Sequence, residues 1–177
     1  PVAYENLQDY VAAIWTTGGK LGQTIDGNDK QELAQYLDSG GALYLTSQDY
    51  LYDAGGGYNG VLTSFGRDYL HLSGYFNDSS AEGVLGIEGD PITDGMSASP
   101  LDYPFTNRSD TVVPDSMAAG ILTNAPGGVT VNSIRFPREE GVGGFRTVFT
   151  TLPFEAFPAE GDEPNTQSAF IERILSW

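Results

Sequence analysis

The first quarter of the chain carries a strand–helix–strand pattern that restricts the fold more than any other feature. Residues 10–15 form a nearly continuous apolar run, as expected of a strand buried on both faces. A helix follows, with Asn28 or Asp29 as its N-cap and a pair of glycines as its stop. Residues 42–46 repeat the buried-strand pattern. This order predicts a parallel β-α-β unit and therefore an α/β fold.

The remainder of the chain predicts an irregular β-rich middle and a closing helix. Short runs rich in β-branched and aromatic residues alternate with Gly and Pro turns, at residues 83–87, 121–123, 129–136 and 145–152. A last helix is predicted from Pro164 onwards, with an apolar side that ends at Trp177. The chain has 177 residues, which is the size of one ordinary domain. We therefore predict a single domain over residues 1–177.

Charge and cysteine content exclude several classes of function. The chain has 24 acidic and 8 basic residues, for a net charge of −16. Binding to nucleic-acid backbones or to anionic membrane surfaces needs a surplus of Lys and Arg, so both partners are strongly disfavoured, whereas cations are not. The chain has no cysteine, which excludes thiol nucleophiles, thiolate metal sites and disulfides. No apolar run is long enough to suggest insertion into a membrane.

The ends of the two predicted parallel strands are the first place to look for a ligand site. Ligands of open parallel sheets bind at the carboxyl ends of the strands. Here those ends place Thr17, Gly18 and Gly19 opposite Gln48. The backbone amides of such a cleft could bind an anion. The alternative is that the two glycines form only a tight turn out of the strand.

Ser47 and Asp49 follow the second strand directly, at the position of a strand-to-helix elbow. A serine nucleophile needs a base, and His71 is the one histidine in the chain. The apolar neighbours of His71 favour a structural role for it. Asp26, Asn28 and Asp29 resemble a calcium loop superficially. They lack the alternating ligand spacing and the distal Glu of such a loop, so helix capping explains them more simply.

Several phrases taken together resemble a known family. They occur in a fixed order along the chain, at residues 10–19 (YVAAIWTTGG), 33–53 (LAQYLDSGGALYLTSQDYLYD), 65–71 (FGRDYLH), 89–95 (GDPITDG) and 144–154 (GFRTVFTTLPF). The set resembles the class I glutamine amidotransferase-like domains of large secreted bacterial proteins, which are often modular peptidases or cell-surface proteins. The resemblance implies a flavodoxin-like, mostly parallel sheet with flanking helices. It also implies that an N-terminal β-α-β unit is missing from this chain, which would then belong to a longer polypeptide.

The same resemblance implies that catalysis is lost. The catalytic cysteine of those domains stands on the elbow that here holds Ser47, Gln48 and Asp49. Their catalytic histidine falls where this chain has Phe154 and Glu155. We therefore expect no amidotransferase activity and no cofactor.

The leading hypothesis is a non-catalytic structural or interaction domain of a secreted or cell-surface modular bacterial protein. It would be an accessory domain of a peptidase or a component of an extracellular assembly. Its partners would be neighbouring domains of the same polypeptide or another protein chain. One alternative is a hydrolase that uses Ser47 or strand-end carboxylates. Another is a carbohydrate- or calcium-binding module, suggested by 10 tyrosines, 2 tryptophans and the acidic surplus.

Overall fold

One large curled sheet with few helices dominates the computed structural model, which describes residues 2–58 and 60–177. In this part of the chain the helices are short, namely α1 (Tyr4–Leu7), α2 (Gly27–Asp38), α3 (Tyr50–Gly55), α4 (Ser64–Asp68) and α5 (Gln167–Ser176). No helix here is long and apolar enough to cross a membrane.

Seven of the described strands form the large sheet, in the order β1-β2-β9-β8-β7-β4-β5. They are β1 (Ala12–Thr16), β2 (Ala42–Thr46), β4 (Gly83–Gly86), β5 (Ser99–Pro100), β7 (Ala119–Asn124), β8 (Val131–Phe136) and β9 (Arg146–Thr150). The strands β3 (Leu72–Phe76) and β6 (Thr111–Pro114) form a separate antiparallel pair.

The predicted flavodoxin-like, mostly parallel sheet with flanking helices is wrong. Only β1, β2 and β9 run parallel to one another. The pairs β9-β8, β8-β7, β7-β4 and β4-β5 are all antiparallel, so the sheet is mixed and curls into a half-barrel. The missing N-terminal β-α-β unit is expected only for a flavodoxin-like fold, so that expectation loses its support as well.

The β-α-β unit itself is confirmed, with two local corrections. Strands β1 and β2 are parallel and α2 connects them. The N-cap of α2 is Asp26, and not Asn28 or Asp29: the Asp26 side chain accepts from the Asp29 backbone N–H at 2.8 Å. The Asp29 side chain faces the Asp26 N–H in return, which completes a capping box. Strand β1 is not buried on both faces, because none of its five residues is fully buried and Ile14 is 51% exposed.

Two hydrophobic clusters cover the two faces of the parallel strands. Leu33 and Leu37 of α2 pack in one cluster with Leu43, Leu45 and Phe149 of the sheet. On the opposite face, Phe170 and Ile174 of α5 pack in the other cluster with Tyr44 and Val148 of the sheet. Because side chains alternate along a strand, successive residues of β2 and β9 serve different clusters. This packing fixes the carboxyl ends of the three parallel strands at one end of the sheet.

Candidate functional site

The carboxyl ends of β1, β2 and β9 meet at one edge of the sheet. Thr16 pairs with Thr46, and Thr46 pairs with Thr150. The segments that leave these strands are 17–19, 47–49 and 151–155. The structure therefore brings together the two elbow segments that the sequence singles out, as expected for parallel strands.

Ser47 is buried at this edge and has no base beside it. Only 1% of its surface is exposed. Its hydroxyl oxygen accepts a hydrogen bond from the Thr17 hydroxyl at 2.7 Å. Among residues 2–58 and 60–177, no histidine or carboxylate side chain lies within hydrogen-bond distance of the Ser47 hydroxyl. A serine nucleophile needs both a base and access to substrate, and the Ser47 side chain has neither here.

His71 lies at the opposite end of the parallel strands. Its ring stacks on Phe136 with the ring centroids 3.6 Å apart, and its Nδ1 lies 2.9 Å from the Asp115 carboxylate. Phe136 pairs with Thr147 near the start of β9, whereas Ser47 follows the end of β2. The structure therefore does not bring His71 and Ser47 together.

Phe105 and Glu155 lie beside the predicted cleft at Thr17, Gly18, Gly19 and Gln48, in which Gly19 stays exposed and Gln48 is buried. Phe105 lies flat against Gly19, so that a Cβ added to Gly19 would come within 2.7 Å of the ring. Glu155 flanks the same loop, with its Oε1 3.5 Å from the Thr16 hydroxyl. This close approach of the Phe105 ring is a steric reason for a glycine at position 19.

Gln48 anchors the loop that carries Phe105. Its side-chain amide donates to the Thr106 carbonyl at 3.0 Å, and its side-chain oxygen accepts from the Arg108 backbone N–H at 3.1 Å. Only 2% of Gln48 is exposed. Both polar ends of the side chain are thus used to hold the loop against the sheet.

The expected histidine position is also structural. The Phe154 backbone N–H donates to the Thr46 hydroxyl at 3.1 Å, and the Phe154 ring meets Tyr44 edge to face. Glu155 is exposed beside the glycine turn. These residues attach the segment after β9 to the end of β2.

The acidic residues around α2 are used in local hydrogen bonds. Asp26 and Asp29 form the capping box, and the Asp29 carboxylate also accepts from the Val2 backbone N–H at 2.9 Å. Asn28 lies exposed in the first turn of α2. In the part of the chain described, no group of three or more His, Asp or Glu side chains has the arrangement of a metal site.

Asp110 is a buried acid that the sequence does not single out. It is 1% exposed and precedes β6. One carboxylate oxygen accepts from the Asp78 backbone N–H at 2.9 Å. The other oxygen, Oδ2, has no hydrogen-bond partner among the described residues. Burial raises the pKa of Asp110 to about 8, and the charges of Asp78 and Asp49 act in the same direction.

The Asp110 backbone carbonyl is held by neighbouring strands. It accepts from the Asn132 side-chain amide at 2.8 Å and from the Thr151 hydroxyl at 2.6 Å. Asn132 lies on β8, and Thr151 directly follows β9. Asp110 is therefore fixed next to the carboxyl ends of the parallel strands.

Asp49 is the second buried acid in this region. It is 2% exposed, and its Oδ2 also lacks a partner within residues 2–58 and 60–177. Burial raises its pKa, although the nearby Arg108 charge opposes the shift. Two buried carboxyl groups that interact electrostatically favour keeping a proton between them. Both side chains are almost fully buried.

Comparisons with known proteins give the fold only. No protein-family model matches the chain. No curated protein matches it. Among solved structures, a cytoplasmic protein, STM3548, from Salmonella typhimurium is similar, with a TM-score of 0.60 and 14% identity. The match covers 99% of this chain and 75% of that chain.

Two further structures are similar over the same length of this chain. The mmIFT52 N-terminal domain has a TM-score of 0.61 and 15% identity, over 99% of this chain and 80% of that chain. A cytoplasmic protein, STM1381, from Salmonella typhimurium LT2 has a TM-score of 0.60 and 12% identity, over 99% and 75%. Such identities show a shared fold, and activity does not follow from fold. The expected relationship to amidotransferase-like domains stays a prediction.

Proposed function

We propose that this chain is a non-catalytic structural or interaction domain. The observation that carries the proposal is the closed carboxyl edge of the parallel strands, where Phe105 lies on Gly19 and Ser47 is 1% exposed. This is the edge at which α/β proteins bind their ligands. Here Gln48 uses both polar ends of its side chain in hydrogen bonds within the chain.

The parent protein is proposed to be a secreted or cell-surface modular bacterial protein, in which this domain packs beside a peptidase or within an extracellular assembly. The support for this part is the acidic, lysine-poor composition together with the resemblance described above. A net charge of −16 keeps a protein soluble and suppresses contacts with other acidic surfaces. The expected partners are neighbouring domains or another protein chain.

Chemical labelling of Ser47 tests the proposal. A fluorophosphonate reagent reacts with activated serine nucleophiles, and the Ser47→Ala variant is the matched control. We expect no labelling of either protein, and no hydrolysis of ester, amide or glycoside substrates above that of a Ser47→Ala/Asp49→Asn double variant. Stoichiometric labelling that Ser47→Ala abolishes would contradict the proposal. So would substrate turnover that the double variant loses.

A further inference from the structure

The outer edge of β1 presents unpaired backbone groups. Strand β1 pairs only with β2 in the part of the chain described. The Thr17 backbone N–H donates to the Thr46 carbonyl at 3.2 Å, so residue 17 faces β2. Backbone groups alternate in direction along a parallel strand. The N–H and C=O groups of Ala12, Ile14 and Thr16 therefore point outward, away from β2.

This edge lacks the features that usually prevent strand addition. In natural proteins, Pro, Lys or β-bulges in an edge strand prevent another strand from pairing with it. Strand β1 (AAIWT) contains no Pro and no charged residue, and its register with β2 is uninterrupted. The other edge of the sheet is β5, which has only two residues and ends in Pro100. Of the two edges that the seven-stranded sheet has in the described residues, only β1 thus offers a pairing surface of five residues.

Apolar side chains accompany the open backbone. Tyr10 is 66% exposed and Ile14 is 51% exposed. A groove lined by Ala12, Tyr44 and Leu175, among others, lies between the start of the parallel strands and the end of α5; Arg146 also lines it, and its guanidinium donates to the Trp177 carbonyl. A strand added beside β1 would have alternate side chains on the face of this groove. The edge is therefore suited to an extended segment with apolar residues at its centre.

Charge decides which kind of segment fits. Asp9 is exposed just before β1, and exposed Glu155 lies 3.5 Å from the Thr16 hydroxyl at the other end of the strand. Lys20, in the loop after β1, donates to the Gln23 carbonyl. A second copy of the chain would bring a charge of −16 against −16, which disfavours pairing of two β1 edges.

We propose that the β1 edge binds an extended segment of a partner protein, apolar at its centre and basic at its ends, as an additional strand of the sheet. This inference rests on the proposed function and names the chemistry of its partner. Main-chain hydrogen bonds to the outward groups of β1 supply affinity in this mode of recognition. Lys or Arg near Asp9 and Glu155 supplies selectivity against acidic segments.

Peptide binding tests the proposal directly. The probe is the fluorescent peptide Lys-Lys-Val-Thr-Val-Thr-Lys-Lys, compared with the same peptide N-methylated at alternate residues and with a Glu-ended version. We expect the N-methylated peptide to bind at least about tenfold more weakly, because it loses two or more main-chain hydrogen bonds to β1. Each of Asp9→Asn and Glu155→Gln is expected to weaken binding of the Lys-ended peptide by about two- to fivefold.

Protein variants locate the binding edge. Ile14→Lys places a charge on the edge and is expected to weaken the Lys-ended peptide at least about tenfold. Its matched control is Val129→Lys, which changes an exposed side chain in the turn before β8 and should leave binding unchanged. Equal affinity of the N-methylated and unmodified peptides, or no binding at millimolar peptide, would overturn the proposal. A dimer at micromolar protein that Ile14→Lys dissociates would also overturn it, in favour of a second copy.

The result is separable from that of the function proposed above. If no peptide binds and Ser47 stays unlabelled by fluorophosphonate, the partner assignment fails and the non-catalytic function stands. If Ser47 is labelled stoichiometrically, the non-catalytic function fails, regardless of whether the peptides bind.

Discussion

Replacing Asp110 with Asn should change how the stability of this protein depends on pH. Asp110 is almost fully buried, and its Oδ2 has no partner among the described residues. Burial raises the pKa of its carboxyl to about 8 from the ordinary value of 3.8. Between these two pKa values the folded protein therefore holds a proton on Asp110, whereas the unfolded chain has released it.

The sign and size of the effect follow from proton linkage. Below about pH 4 the folded and the unfolded protein both carry the proton on Asp110. The free energy of unfolding then does not depend on the titration of Asp110. Between about pH 4 and pH 8 the folded state binds more protons, and the free energy of unfolding falls as pH rises. Each pH unit costs about 1.4 kcal/mol. The loss attributable to Asp110 is about 4 kcal/mol between pH 5 and pH 8.

Urea unfolding followed by tryptophan fluorescence measures this loss. In Asp110→Asn the amide oxygen can still accept from the Asp78 N–H, and no proton is bound or released. The stability of the variant relative to the natural protein should therefore rise by about 4 kcal/mol from pH 5 to pH 8. Asp49, whose pKa is also raised, is present in both proteins, so it enters the difference only through its electrostatic coupling to Asp110.

A control substitution separates burial from charge. Asp162 is exposed, so Asp162→Asn should change the stability by less than about 0.5 kcal/mol at either pH. A stability difference between Asp110→Asn and the natural protein that stays constant from pH 5 to pH 8 would refute the argument. It would show that Asp110 is ionised in the folded protein at neutral pH.

Three substitutions test the edge strand, the anchored loop and the helix cap. Ile14→Pro removes an outward N–H, whereas Ala13→Pro removes an N–H that bonds to β2. In urea unfolding, Ile14→Pro should therefore cost less stability than Ala13→Pro. Equal losses would contradict the direction assigned to these N–H groups. Gln48→Ala should cost about 1–3 kcal/mol and make the 106–108 segment more sensitive to proteolysis, because two buried backbone groups lose their partners. Asp26→Ala should lower the free energy of unfolding by about 1 kcal/mol, an effect that Asp26→Asn should largely avoid.

Local structure could be predicted from the sequence where short-range signals decide it. The apolar run before the glycine turn, the acidic cap and the strand at Ala42–Thr46 all lie within the first 46 residues, and the β-α-β unit forms there. The identity of the cap was open between neighbouring polar residues. The geometry selects Asp26, whose side chain reaches the Asp29 N–H.

The sheet could not be predicted in the same way. Short apolar strands between Gly and Pro turns have the same pattern whether their neighbours run parallel or antiparallel. The direction of β4 depends on pairings between residues far apart in sequence, such as Val84 with Asn124, whereas β7, β8 and β9 pair with their neighbours in sequence. A resemblance to a parallel fold therefore assigned the wrong direction to this half of the chain.

The closed edge and the buried acids depend on contacts that no local pattern contains. Phe105 reaches Gly19 across more than eighty residues, and its loop is held by Gln48. Asp110 is held by residues on both sides of it in sequence. The Asn132 side chain donates to its carbonyl, and the Asp78 backbone N–H donates to its carboxylate. The sequence marks the glycine turn and the elbow as special positions, but only the tertiary structure shows that Ser47 and Gln48 are buried in contacts within the chain.

Amide hydrogen exchange along β1 tests the central claim most directly. We expect the N–H groups of Ala13 and Trp15 to exchange slowly, because they face β2, and those of Ala12, Ile14 and Thr16 to exchange rapidly, because they face outward. Addition of the Lys-ended peptide should slow exchange at the outward three and leave Ala13 and Trp15 unchanged. Slow exchange at all five positions in the free protein would show that the edge is already paired. Unchanged rapid exchange at the outward three with saturating peptide would show that no strand is added. Either result would contradict the account.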